Sequence, residues 1–251
     1  MKSSMTEAEY WRDYELVREE VHVAIGCFYS WLEIHNFAAG NKAAFLKLNE
    51  HPDFWNLQLY SLQLTFFIAL GRIFDDGSDA HSIHKLLAAT VAHPEFFSKE
   101  SLGKRKMQGK KKSNWLDAYL DEVFEPSVAD LRVLKKTAAQ HKKKFDSAYR
   151  DIRNYVFAHR ILKDKEKVSQ LFGKTKIQDI NDILYFLDDI LEAIWQLFQN
   201  GREPALGVEN FDQKDRVTDA TRNFLRSMLP EKDQGITKRS SRTRTTTASA
   251  G

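Results

Sequence analysis

The chain has 251 residues, 42% of them hydrophobic and 12% aromatic, with 17 Phe and 5 Trp; that is enough for a sizeable core and too much for a mainly disordered chain. Only 11 Gly and 5 Pro disfavour sandwiches, barrels and other architectures with many tight turns, and a single cysteine, Cys27, excludes an intramolecular disulfide framework and a four-cysteine zinc site. The net charge of +3 is uneven: residues 99–114 carry +6, 127–160 carry +6 and 231–251 carry +3, which leaves −12 for the rest. Such a separation fits a localised surface for a polyanion and, equally, a set of solvated helix faces.

The chain starts with MKSSMTEAEYWRD, polar and acidic with no apolar core, which predicts no secretory signal. Thr6 and Glu9 have capping-box spacing, since hydroxyl and carboxylate can each take an exposed backbone donor at a helix start. Tyr10, Tyr14, Val17, Val21, Ile25, Phe28 and Leu32 then recur at three and four, the period of an amphipathic helix to about Phe37. A short helix is predicted over Ala43–Glu50. Phe54–Phe74 is apolar nearly all round, which predicts a central, well-buried helix. Its densest run, around Leu64–Leu70, is far short of the roughly 20 residues that span a bilayer.

Ile83–Ala92 is a further short helix before Pro94. Residues 99–114 have almost no apolar residues and read as an exposed basic loop. Trp115–Phe124 is helical up to Pro126. Ser127 opens a long helix with a seam at Leu131, Leu134, Ala138, His141, Phe145, Ala148, Ile152 and Tyr155 or Val156, spaced as in helix bundles and reaching His159. Lys163–Lys176 reads as a polar connection. Ile177–Asn200 is strongly amphipathic and closed by Asn200-Gly201. Asp212–Leu229 is a weaker last helix, and from Pro230 onward the lack of apolar residues predicts disorder.

The expected fold is therefore all-α, an up-and-down bundle of about five to seven helices. Its parts are a bundle over 1–201 with a basic loop at 99–114, a helical extension over 202–230 and a disordered basic tail over 231–251. Localisation is expected to be cytoplasmic, with no membrane partner.

The seam helix ends in Arg153-Asn154-Tyr155-Val156-Phe157-Ala158-His159. In a chain of this composition, an Arg followed by a His five to seven positions later arises by chance about 1.4 times; requiring Asn, Asp or His directly after the Arg lowers this to about 0.2. The residue types suit RNA cleavage. A neutral His can take a proton near pH 7, Arg presents a planar, permanently charged fork to phosphate oxygens, and RNA carries its own nucleophile. One straight α-helix would not bring the two together, because six residues separate them by roughly 240° and about 9 Å. Convergence needs a helix end, a bend or a second protomer. The alternative is a packed His159 and a solvated Arg153.

RNYVFAH resembles the R-(N/D/H)-x-x-x-x-H form of the motif of the HEPN superfamily. Residues Tyr149 to Arg160 are similar to its abortive-infection, AbiU-like branch, as is the pairing with an earlier helix that ends Gly71-Arg72-Ile73-Phe74-Asp75. The resemblance spans about Thr6–Asn200. It implies an all-helical, dimeric, metal-independent endoribonuclease, without a cofactor, in phage defence or a toxin–antitoxin system. His159 would be the general base or acid at the 2′-hydroxyl, Arg153 would stabilise the scissile phosphate, and Asn154 would orient His159 or the backbone. Products would carry a 2′,3′-cyclic phosphate and a 5′-hydroxyl. Implied partners are RNA, a second copy sharing the active site, and an antitoxin or regulatory protein. Some HEPN toxins carry a modifiable Tyr two residues after the motif His; this chain has Ile161 there, which does not support silencing by that route. A catalytically inactive module that binds RNA or a protein is the alternative.

Lys143, Lys144, Arg150 and Arg160 extend the motif with positive charge and are candidate RNA contacts; ordinary solvated charges are the plain alternative. Asp75, Asp76, Asp79, His81 and His84 crowd one segment, which reads as an acidic helix-ending loop more than as a metal site. The lone Glu19-x-x-His22 lacks the second motif that a di-iron bundle requires.

Overall fold

Thr6 starts the first helix as its spacing predicts. Its hydroxyl accepts the Glu9 N–H at 3.2 Å, while the Glu9 carboxylate accepts the Thr6 N–H at 2.7 Å. The computed structural model describes residues 5–77, 80–107, 114–158, 165–207 and 211–230. Along these residues run α1 (Glu7–Gly40), α2 (Lys42–Leu48), α3 (Pro52–Ile73), α4 (Ile83–Ala92), a 3-10 turn (Pro94–Phe97), α5 (Lys99–Met107), α6 (Leu116–Glu122), α7 (Val128–Ala148), a π-helix (Ile152–Ala158), α8 (Lys165–Phe172), α9 (Ile177–Asn200) and α10 (Asp212–Ser227). The described residues hold helices, turns and loops and no strand. None of these helices is long and apolar enough to cross a membrane.

α1 is the spine. Its seam from Tyr10 to Phe28 is buried, and α3, α4, α9 and α10 all pack on it. α9 has the widest apolar stripe, from Ile180 through Leu187 and Ile194 to Phe198. It ends at Gly201, whose φ of 56° is the left-handed conformation that a C-cap glycine adopts without steric cost. Rings from three elements fill one end of the core: Tyr10 meets Phe97 edge-on at 5.6 Å, and Trp11 stacks on Phe198 at 4.7 Å. α10 is fastened along α1 by Arg222, which donates to both Glu33 oxygens at 2.7 and 3.1 Å.

The class is the expected one, but there are more helices than five to seven. α5 and α8 go unseen in sequence because neither buries more than one side chain fully, too few to show a period. The expected basic loop is the clearest correction: Lys99–Met107 is helical. Leu102 is buried, and Arg105 lies over the Phe198 ring at 3.8 Å while donating to Glu7 and to the Phe96 and Phe198 carbonyls. A long side chain that packs on an aromatic ring and whose two terminal nitrogens both have partners behaves as a core residue despite its charge. The expected polar connection likewise contains α8.

α3 is also corrected. It is enclosed only from Phe66 onward; in its first half Phe54 and Leu57 are 54% and 59% exposed. The seam helix is the third difference. Regular α-helix stops at Ala148, and Ile152–Ala158 is π-helical. Burial explains the change. Ile152 and Phe157 are both buried, whereas Tyr155 is exposed. Residues five apart on an α-helix point about 140° away from each other, but the wider π turn lines them up. Phe157 then stacks on Phe67 of α3 at 4.9 Å.

Candidate functional site

The C-terminal end of α3, the end of α7 and the π-helix converge on a pocket of about 150 Å³. Phe74 and Phe145, stacked at 5.0 Å, form its apolar wall. Gly71, Asp75, Asp76, Arg150, Arg153 and Asn154 complete it. Tyr149 anchors the π-helix from below. It is buried, its hydroxyl donates to the Lys176 carbonyl at 3.0 Å, and burial raises its pKa.

Arg153 and Asn154 are brought together, since Arg153 Nη1 donates to Asn154 Oδ1 at 2.8 Å. The side chain lies directly against α3 at Gly71, where a Cβ would sit 2.5 Å from Arg153 Nε. Arg153 Nε is buried with no hydrogen-bond partner. Among the described residues, no carboxylate forms an ion pair with Arg153. A guanidinium drawn partly out of water and left without a counter-ion is expensive unless a ligand supplies the charge.

The other candidate cations differ. Arg150 Nη2 is 3.0 Å from Asp76 and 2.7 Å from Asp146, and Lys142 bonds the same two carboxylates at 2.9 and 3.0 Å. The hydrogen bond from Lys142, reinforced by Arg150, holds the Asp76 carboxyl below its usual range. Lys144 pairs with Asp182 at 3.1 Å. Lys143 is exposed on the outer face of α7. His159, Arg160 and Ile161 lie outside the described residues, as do Asp79 and the lysines at 110–112. The π-helix carries the chain to within one residue of His159.

The crowded acidic segment is divided among separate contacts. Asp76 holds Lys142 and Arg150, His81 Nδ1 is 2.9 Å from Asp13, and His84 packs on Phe74. Among the described residues no three potential metal ligands converge. Sequence reasoning missed the Asp146–Arg150 spacing of four as a signal that Arg150 has a local partner. It also missed that Gly71 faces Arg153.

An all-helical bundle with an Arg-Asn pair at the end of a core-packed helix, separated by four residues from a His, has the arrangement of a HEPN-type module. The chain matches the HEPN_AbiU2 family, AbiU2, over residues 8–224, and belongs to it. This places it with the abortive-infection HEPN-type modules. Comparison with curated proteins and with solved structures returned no match.

Proposed function

We propose that this chain is a metal-independent endoribonuclease of phage defence or a toxin–antitoxin system, acting in the cytoplasm. The observation that carries the proposal is Arg153, a partly buried guanidinium that lacks a carboxylate partner among the described residues and is held against Asn154 just ahead of His159. A scissile phosphate supplies the missing negative charge. His159 takes the 2′-hydroxyl proton, the 2′-oxygen attacks the adjacent phosphorus, and the bond from phosphorus to the 5′-oxygen breaks as that oxygen takes a proton from solvent, giving a 2′,3′-cyclic phosphate and a 5′-hydroxyl. Asn154 fixes the Arg153 fork. A second copy shares the site, and the exposed Phe54 and Leu57 of α3 and Tyr155 of the π-helix offer apolar surface for such a homodimer. Lys143 and Arg160 extend the phosphate track, with Lys144 and Arg150 available once RNA displaces their carboxylate partners. An antitoxin or regulatory protein is a further partner of this reading.

The test is cleavage of RNA in EDTA by the wild type and by His159→Ala, with product ends mapped. General acid–base catalysis contributes about 10²–10⁴-fold, and the variant is expected to lose at least that much. Equal cleavage by both proteins sinks the assignment. One observation favours a second reading, a catalytically inactive module that binds RNA or a protein: Arg150, Lys142 and Lys144 are already matched to carboxylates. Binding without cleavage by the folded wild type would select it.

A further inference from the structure

We propose that Gly71 is a positioning residue for Arg153: the missing side chain leaves a slot on α3 into which the Arg153 side chain lies, and this slot fixes where the guanidinium can present its charge. An ideal Cβ at Gly71 would stand 2.5 Å from Arg153 Nε, 2.9 Å from its Cγ and 3.0 Å from its Cδ. All three nearest obstacles belong to this one side chain. Gly71 is buried within α3, two residues before its end, and its φ is not positive. Neither a turn nor a left-handed backbone calls for glycine there. An interior helical glycine is less favourable than alanine, so what remains to explain it is the close approach of Arg153.

The slot acts on the stem of Arg153, not its tip. Contacts at Cγ, Cδ and Nε set the direction in which the fork leaves the helix. Asn154 Oδ1 takes Nη1 at 2.8 Å, which sets the rotation of the fork. So constrained, Arg153 lines the pocket bounded by Phe74 and Phe145. Ordering a long Arg in advance removes rotamer freedom that substrate binding would otherwise have to remove. The consequence for activity rests on the nuclease reading above; the slot itself does not.

The experiment is a double-mutant cycle of Gly71→Ala and Arg153→Ala, read by thermal melting and by RNA cleavage. With Arg153 present, Gly71→Ala forces the Arg out of the slot, and Tm is expected to fall by about 2–4 °C, the usual scale for a chain of this length. In the Arg153→Ala background the space is vacant and alanine is the better helix former, so the same substitution is expected to raise Tm. This change of sign is what a merely tight-packed position would not show. In cleavage assays Gly71→Ala is expected to lower kcat by about 100-fold, the loss that a misplacement near 1 Å brings, with KM little changed and no further loss on top of Arg153→Ala. If Gly71→Ala alone does not fold while the double variant does, the slot is supported; if neither folds, or if Tm falls equally in both backgrounds, the slot is wrong. Absence of cleavage by the folded wild type would overturn the nuclease reading, and the melting cycle would still decide the slot.

Discussion

Two concave surfaces of this protein differ in the opposite sense from what their sizes suggest. The larger, about 1050 Å³, lies between α1, α9 and α10 and is lined by Asp188, Asp189, Glu192, Asp212, Asp215 and Asp219 with Arg18, Arg202 and Arg216 among them. The smaller, about 150 Å³, holds Arg150 and Arg153 against Asp75 and Asp76. Volume alone would choose the first. A phosphodiester approaching it meets an excess of carboxylates, whereas at the second it meets a guanidinium with no carboxylate partner among the described residues. For an extended polyanion such as RNA, which need not be enclosed, uncompensated positive charge selects the site more strongly than enclosure.

On the nuclease reading, the largest expected effect in the comparison of these two surfaces is at Arg153. Arg153→Ala should lower RNA cleavage about 10²–10³-fold, as loss of one donor aimed at developing charge does. Arg216→Ala removes the same group from the larger cavity and should leave the rate unchanged. Initial rates of both variants on one RNA substrate check this. A larger loss for Arg216→Ala would reverse the ranking of the two surfaces.

The next effect concerns what holds the small site in place. Phe157 is buried against Phe67 and near Phe172, and Val156 is only partly buried. Phe157→Ala should cost about 3 kcal/mol in denaturant unfolding, the low end for a buried aromatic. Val156→Ala should cost about 1 kcal/mol. An uninterrupted α-helix would give the reverse order, because it would carry Val156 and not Phe157 along the seam from Ile152.

That contrast also shows what the sequence makes legible. Capping at Thr6, the α1 seam, the α9 stripe and its glycine stop could be read because each repeats one local rule over many residues. The Arg153–Asn154 pair was legible as a motif, and the structure brings those two side chains together. The π register was not legible: one five-residue step, Ile152 to Phe157, is decided by the distant ring of Phe67. In sequence Arg105 looks like loop charge, because the carbonyls that receive it come from Phe96 and from Phe198, 93 residues away. Exposure of Phe54 and Leu57 is illegible in sequence for a related reason: composition shows that a helix is apolar and does not show how much of it neighbouring elements cover.

The smallest effect is in the larger cavity, at Asp188. Burial, then the neighbouring charges of Glu192, Asp189 and Asp212, push its carboxyl up to about 6, from an ordinary value near 3.9. Below pH 4 the group is protonated in both folded and unfolded chains and has no effect. Between about pH 4 and 6 the unfolded chain releases the proton while the folded chain keeps it, so stability falls as pH rises. Above 6 the penalty is complete and constant. Asp188→Asn removes it, and after discount for partial exposure the gain at pH 7.5 should be about 1–2 kcal/mol. By pH 4 the gain should vanish, which denaturant unfolding at both pH values would show. Equal stability of the two proteins at pH 7.5 would mean that Asp188 is better solvated or paired than its surroundings suggest. Cleavage measured alongside completes the comparison: a carboxylate in a surface that repels RNA can be neutralised without loss of rate, and a loss there would move the site from Arg153 to the larger cavity.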